Sequence, residues 1–118
     1  MIRLRSKTEV RCLREVLTAL DGRRALLSSG WNELGSSCLP FNIFPLGPAP
    51  HDQLFLRVSM VIHHGGAGTS HSAAAAGVPS VVVPFTGDQP FWASRLKWAG
   101  IAPESVPYEF LMLTSLLL

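Results

Sequence analysis

Three glycines in quick succession, Gly65, Gly66 and Gly68, sit between an apolar run and an alanine-rich run in HHGGAGTSHSAAAAG, residues 63–77. Glycines between a strand and a helix let the backbone approach a ligand closely and adopt positive φ. A helix beginning near Thr69 offers unpaired N–H groups and a partial positive charge, which suits an anion and phosphate above all. Thr69 can cap that helix or give its hydroxyl to a phosphate oxygen, and His64 can donate to the same group. The spacing fits neither G-x-G-x-x-G nor G-x-x-x-x-G-K-[ST], so nicotinamide cofactors and P-loop ATP chemistry are both disfavoured.

His63, His64 and His71 raise the question of a metal. Adjacent histidines at a strand end point to opposite faces, and no acidic residue or cysteine lies close in sequence to complete a set of ligands. No metal and no cofactor are therefore expected. Without a ligand, all three are loop or helix-surface histidines, and for His71 that is the preferred reading. Further on, Asp88 and Gln89 follow a second apolar run and precede a third helical pattern. A carboxylate beside an amide offers the mixture of acceptors and donors that neighbouring sugar hydroxyls require. Asp88 also stands where a helix N-cap is expected, ahead of Pro90, which would leave Gln89 free.

The elements that must position these residues follow from periodicity and punctuation. Thr8–Leu20 reads as an amphipathic helix with Val10, Leu13, Val16, Leu17 and Leu20 on one face. Strands are expected at 25–28, 42–46, 59–62 and 80–83, and the three consecutive valines of the last suit a parallel strand covered on both faces. A loop is expected over 29–39, and helices over 50–57, 69–76, from Pro90 to Gly100 and from about Pro107 onward. Strand, loop, helix in alternation is the grammar of an α/β fold with an open parallel sheet. Loops 63–69 and 84–89 both leave the carboxyl ends of their strands, where such sheets bind ligands, and should face one crevice.

Composition bounds the rest. The 118 residues amount to about one small domain, 47% hydrophobic and only 15% charged. That balance argues against disorder and suggests a surface built to be covered. The net charge is +2. Much of the basic excess lies in Arg3, Arg5, Lys7, Arg11, Arg14, Arg23 and Arg24, read as a solvated helix face rather than a patch for nucleic acid or lipid. Cys12 and Cys38 have no paired spacing and read as thiols of a reducing compartment. The apolar run Leu111–Leu118 falls far short of the roughly 20 residues of a spanning helix. No secretory signal is recognisable.

Taken together, HHGGAGT, AGVP and PFTGDQPFWASR resemble the nucleotide-sugar-binding half of the GT-B glycosyltransferases, in the branch of sterol glucosyltransferases and macrolide-type transferases. SGW at 29–31 and PHDQLF at 50–55 fit the same branch, and the similarity covers roughly residues 23–110. The resemblance implies a Rossmann-like open parallel sheet with flanking helices, part of the C-terminal domain of such an enzyme. It implies that His64, Gly65, Gly66, Gly68 and Thr69 hold the diphosphate of a UDP-sugar. Asp88 and Gln89 would bind hexose hydroxyls, and Trp31, Pro50 and His51 would lie around the uracil. Ser72 falls where many plant small-molecule transferases have a ribose-binding glutamate, which leaves the ribose contact unassigned.

The same resemblance implies what lies elsewhere. In such enzymes a second α/β domain carries the hydrophobic acceptor's pocket and the catalytic base, a histidine paired with an aspartate, and nothing in the 118 residues corresponds to them. The expectation is a single partial donor domain, with no turnover by the isolated chain. It would belong to an enzyme transferring glucose or another hexose from a UDP-sugar, with inversion, to a sterol, lipid or other hydrophobic alcohol. The alternatives are a non-catalytic nucleotide-sugar-binding subunit that pairs with a separate α/β partner chain, and an inactive truncation. No nucleic acid and no transmembrane segment are expected, and the location would be cytoplasmic or peripheral to a membrane surface.

Overall fold

A computed structural model describes residues 23–28 and 41–109. The expected Thr8–Leu20 helix and the loop over 29–39 lie outside these residues, as does most of the helix expected from about Pro107 onward. The described residues fall into two units, one holding 23–28, 41–48 and Glu109, the other 49–108.

In the first unit, β1 (Ala25–Ser28) pairs in parallel with β2 (Ile43–Leu46) in the register Ala25 to Ile43 through Ser28 to Leu46. Leu27 and Ile43 supply its buried apolar side chains. Asn42 anchors the start of the ladder. Its carbonyl accepts from Ala25 N–H at 2.9 Å, and its Nδ2 donates to the Arg23 carbonyl at 2.9 Å.

The second unit carries the glycine cluster. Helix α1 (His51–Leu54) continues into a 3₁₀ turn at Phe55–Arg57. Strand β3 (Val61–His63), helix α2 (Ala67–Ala76), strand β4 (Ser80–Val82) and helix α3 (Gln89–Trp98) follow. β3 and β4 are parallel, with Val61 opposite Ser80 and His63 opposite Val82. Parallel neighbours need a crossover, and α2 provides it. Valines 82 and 83 are buried, as expected of a strand covered on both faces. On the other edge of β4, Ser80 N–H donates to the Ile101 carbonyl at 2.8 Å, and Val106 N–H donates to the Val82 carbonyl at 2.9 Å. Residues 101–106, to which no element was assigned from sequence, thus extend the hydrogen bonding by a third segment.

Two apolar clusters hold the unit together. Phe55, Val61, Ala73 and Val78 form one, with Leu54, Val58 and Ala76 packed against it. Val82, Ala93 and Leu96 form the other, with Ile101 and Ala102 against it. Both long helices end the same way. Gly77 (φ 63°) and Gly100 (φ 75°) adopt left-handed backbone. Val78 N–H then donates to the Ala73 carbonyl, and Ile101 N–H to the Leu96 carbonyl, both at 3.2 Å. These are Schellman motifs, in which the residue after the glycine packs back on the last turn. Each motif plants a residue in a cluster, Val78 in the first and Ile101 in the second. The helix stops read from Gly77 and Gly100 are therefore also core contacts.

Candidate functional site

Helix α2 begins two residues before the expected Thr69. Gly66 occupies the N-cap position in extended backbone (φ −61°, ψ 144°) and no side chain caps the helix. The first intrahelical bond runs from Ser70 N–H to the Gly66 carbonyl at 2.9 Å. The N–H groups of Ala67, Gly68 and Thr69 precede it and have no helical acceptor. The capping role open to Thr69 is thereby excluded: it is the third helical residue, and only 8% exposed. The anion-binding geometry moves with the helix start and is centred on backbone from Gly66 to Thr69.

Two side chains shape this backbone from behind and beside. His63 is wholly buried, not a loop-surface histidine. Strand alternation explains it, since His63 shares a face with buried Val61, two residues earlier. Its Nδ1 accepts from Gly65 N–H at 3.1 Å. The ring is therefore neutral with its proton on Nε2, and burial lowers its pKa to about 4. Nε2 and the nearby-in-sequence Ser70 Oγ are buried without a hydrogen-bond partner among the described residues. His64 takes the other direction. A Cβ on Gly66 would stand 2.5 Å from His64 Nε2, so the imidazole lies directly against the helix N-cap. Only glycine at 66 allows that placement.

Gly65 couples the two loops. It has φ 87°, and a Cβ there would meet Val82 Cγ1 at 2.9 Å and the Gln89 carbonyl oxygen at 3.0 Å. The start of α3 therefore lies against the glycine loop, and loops 63–69 and 84–89 share one place as expected.

The Asp88–Gln89 pair is more committed than its sequence suggests. Asp88 occupies the N-cap position of α3, but its backbone is helical (φ −83°, ψ −2°) and its carboxylate makes no cap bond. Instead Oδ2 accepts from the Trp92 indole N–H at 2.8 Å. Gln89 is not free. Its Oε1 accepts from Phe85 N–H at 2.7 Å and from Thr86 N–H at 3.1 Å, closing the loop on itself. What remains for a ligand is Asp88 Oδ1 and the Gln89 Nε2 amide. Trp92, which the sequence reading passed over, meets the His71 ring edge-on at 4.8 Å and that of Phe91 at 5.1 Å. Its signal was available in principle: it lies one helical turn after Asp88, and a partly buried indole N–H seeks an acceptor.

The other expected residues divide. Exposed His71 donates from Nδ1 to the Ala67 carbonyl at 2.7 Å, the only role open to a nitrogen facing a carbonyl, and fits a helix-surface histidine. Pro50 is the N-cap residue of α1, and His51 stacks on Phe55 at 5.0 Å with the rings 7° from parallel. Burial lowers the His51 pKa. Trp31 lies outside the described residues. Among the described residues no three His, Cys, Asp or Glu side chains gather as a metal site, and no helix is long and apolar enough to cross a membrane. The arrangement therefore offers a backbone cradle for an anion, flanked by His64, beside one carboxylate oxygen and one amide donor.

Comparison with known proteins shows the family and the fold. Residues 14–110 match the family described as the C-terminal domain of proteins like erythromycin biosynthesis protein CIII. A sterol 3-beta-glucosyltransferase of Arabidopsis thaliana is 41% identical over 96 residues, covering 80% of this chain and 16% of that protein. The vancomycin aglycone glucosyltransferase of Amycolatopsis orientalis is 46% identical over 85 residues, covering 68% of this chain and 20% of that one. The chain thus spans about a fifth or less of the length of these relatives. Among solved structures, the glycotransferase of kitacinnamycin superposes with a TM-score of 0.70 at 25% identity, over 94% of this chain and 30% of that one. The glycosyltransferase SnogD of Streptomyces nogalater superposes with a TM-score of 0.71 at 24% identity, over 98% of this chain and 34% of that one, a likeness of fold. The α/β architecture with parallel strands is that of part of the Rossmann-like domain of GT-B glycosyltransferases.

Proposed function

The chain belongs to the family of erythromycin biosynthesis protein CIII-like C-terminal domains, and on that footing we propose that it is the donor-binding part of a hexosyltransferase that uses a UDP-sugar. The diphosphate lies on the backbone of Gly65, Gly66, Gly68 and Thr69 with His64 beside it. The hexose lies against Asp88 and Gln89, and the uracil lies by Pro50 and His51; Trp31, the other residue expected at the base, is outside the described residues. The observation that carries this reading is the closeness of Gly65 to the Gln89 carbonyl, which supports one ligand spanning the glycine loop and the start of α3.

The chemistry follows from the same parts. Cleaving a sugar from a nucleoside diphosphate builds negative charge on the leaving phosphate. Amides at a helix N-terminus, already oriented, stabilise that charge without reorganising. His64 adds a donor at the same end. No metal is required for this. The acceptor is a sterol, lipid or other hydrophobic alcohol, in keeping with the sterol glucosyltransferase among the relatives. The base that takes its proton comes from outside these 118 residues. Attack from the face opposite the departing diphosphate inverts the anomeric centre.

Calorimetric titration tests the donor assignment. UDP-glucose should bind more tightly than UDP, and glucose 1-phosphate should bind far more weakly than either. Equal, weak binding of all three would contradict it.

A further inference from the structure

We propose that Trp92 is a positioning residue for the hexose, setting which oxygen of Asp88 a sugar hydroxyl meets. The proposal rests on the donor-site reading above and goes further, because it fixes the hydrogen-bonding polarity of the pair. The indole N–H holds Asp88 Oδ2 at 2.8 Å, so Oδ1 is left to accept. Two loop amides hold Gln89 Oε1 at 2.7 and 3.1 Å, so Nε2 is left to donate. The pair therefore presents one acceptor and one donor on consecutive residues. It matches two neighbouring hydroxyls, one donating to Asp88 and the next accepting from Gln89. These three internal bonds are to groups that a ligand would otherwise have to orient, so the sugar meets a pair ordered in advance.

Trp92 is suited to this role because it is itself held. It stands one turn into α3, and its own backbone N–H donates to the Asp88 carbonyl at 3.2 Å. Its ring lies edge-on to His71 of α2 at 4.8 Å and to Phe91 at 5.1 Å. The orientation of Asp88 is thus tied to the helix whose N-terminus forms the anion cradle. A carboxylate on an exposed loop would otherwise sample several rotamers, and an uncommitted oxygen would compete for water.

The test compares the chain with Trp92→Phe, which keeps an aromatic ring beside His71 while removing the indole N–H together with part of the ring area. UDP and UDP-glucose are titrated separately into each, and the Trp92 indole proton is followed by NMR in the unsubstituted chain. The expected result is UDP affinity within about twofold in both proteins. The affinity added by the hexose should fall at least ~10-fold in Trp92→Phe, the lower end of the scale of one hydrogen bond to a charged group. The indole proton should shift with UDP-glucose and not with UDP. A hexose increment that survives in Trp92→Phe would overturn the proposal and leave the donor site standing. Parallel loss of UDP and UDP-glucose affinity would also overturn it, by showing a merely structural role. An unsubstituted chain that gains nothing from the hexose would overturn the donor-site reading and this proposal with it.

Discussion

A Cβ on Gly65 would lie 3.0 Å from the Gln89 carbonyl oxygen, so the glycine loop and the start of α3 lie too close for a side chain between them. Gly65→Ala must therefore fail twice. It forces an alanine to φ 87° and drives its Cβ to 2.9 Å from Val82 Cγ1 as well. Left-handed backbone and overpacking together cost about 2–4 kcal/mol. Denaturant unfolding should show that loss, with UDP binding abolished alongside.

Gly66→Ala separates folding from binding. Its φ of −61° suits any residue, and the added Cβ meets only His64, a side chain that can swing away. Stability should fall by less than about 1 kcal/mol, the usual scale of an N-cap change. UDP affinity should drop as His64 leaves the cradle, measured by calorimetry.

At Gly68 the two effects should have opposite signs. A Cβ there meets nothing within 4 Å in the free chain, and alanine is the better helix former. Gly68→Ala should raise stability by ~0.5 kcal/mol. It should nonetheless weaken UDP binding at least tenfold, the order expected from obstructing close backbone approach. Unchanged binding would place the phosphates elsewhere.

Gln89→Glu divides the two ends of one side chain. The carboxylate keeps acceptors for Phe85 and Thr86 N–H, so the loop should hold its form. The amide donor is lost. UDP affinity should be retained, and the gain from the hexose should disappear.

His63 predicts an acid limit. Its pKa is lowered from 6.5 to about 4 by burial, so the folded chain binds fewer protons than the unfolded one between those values. Stability is full above pH 6.5 and falls as pH drops through the window toward 4, by about 3 kcal/mol in all. Protonation also takes Nδ1 away from Gly65 N–H. Thermal unfolding followed from pH 7.5 to 4 should show this decline. His63→Gln, which keeps an acceptor without titrating, should flatten it.

Much of this site can be read from residue types alone, and the exceptions have physical causes. β1 falls at Ala25–Ser28 as expected, because a short apolar run bounded by turn residues leaves little choice. The stops at Gly77 and Gly100 were legible because left-handed backbone selects glycine. The start of α2 was misplaced because threonine is a favoured cap and Gly66 carries no such signal, although the fold uses it. The burial of His63 was written in strand alternation with Val61 but masked by the polarity of its side chain. As residue types, Asp88 and Gln89 read as a carboxylate and an amide open to sugar hydroxyls. Their inward commitments, to Trp92 and to the loop amides, depend on local geometry that spacing alone leaves open.

The most direct measurement is amide NMR of the chain during titration with UDP and then with UDP-glucose. Shifts should gather at Gly65 through Thr69 with either ligand, and at Asp88 and Gln89 only when the hexose is present. A well-folded chain whose glycine-loop amides stay in place with both ligands would contradict the donor assignment.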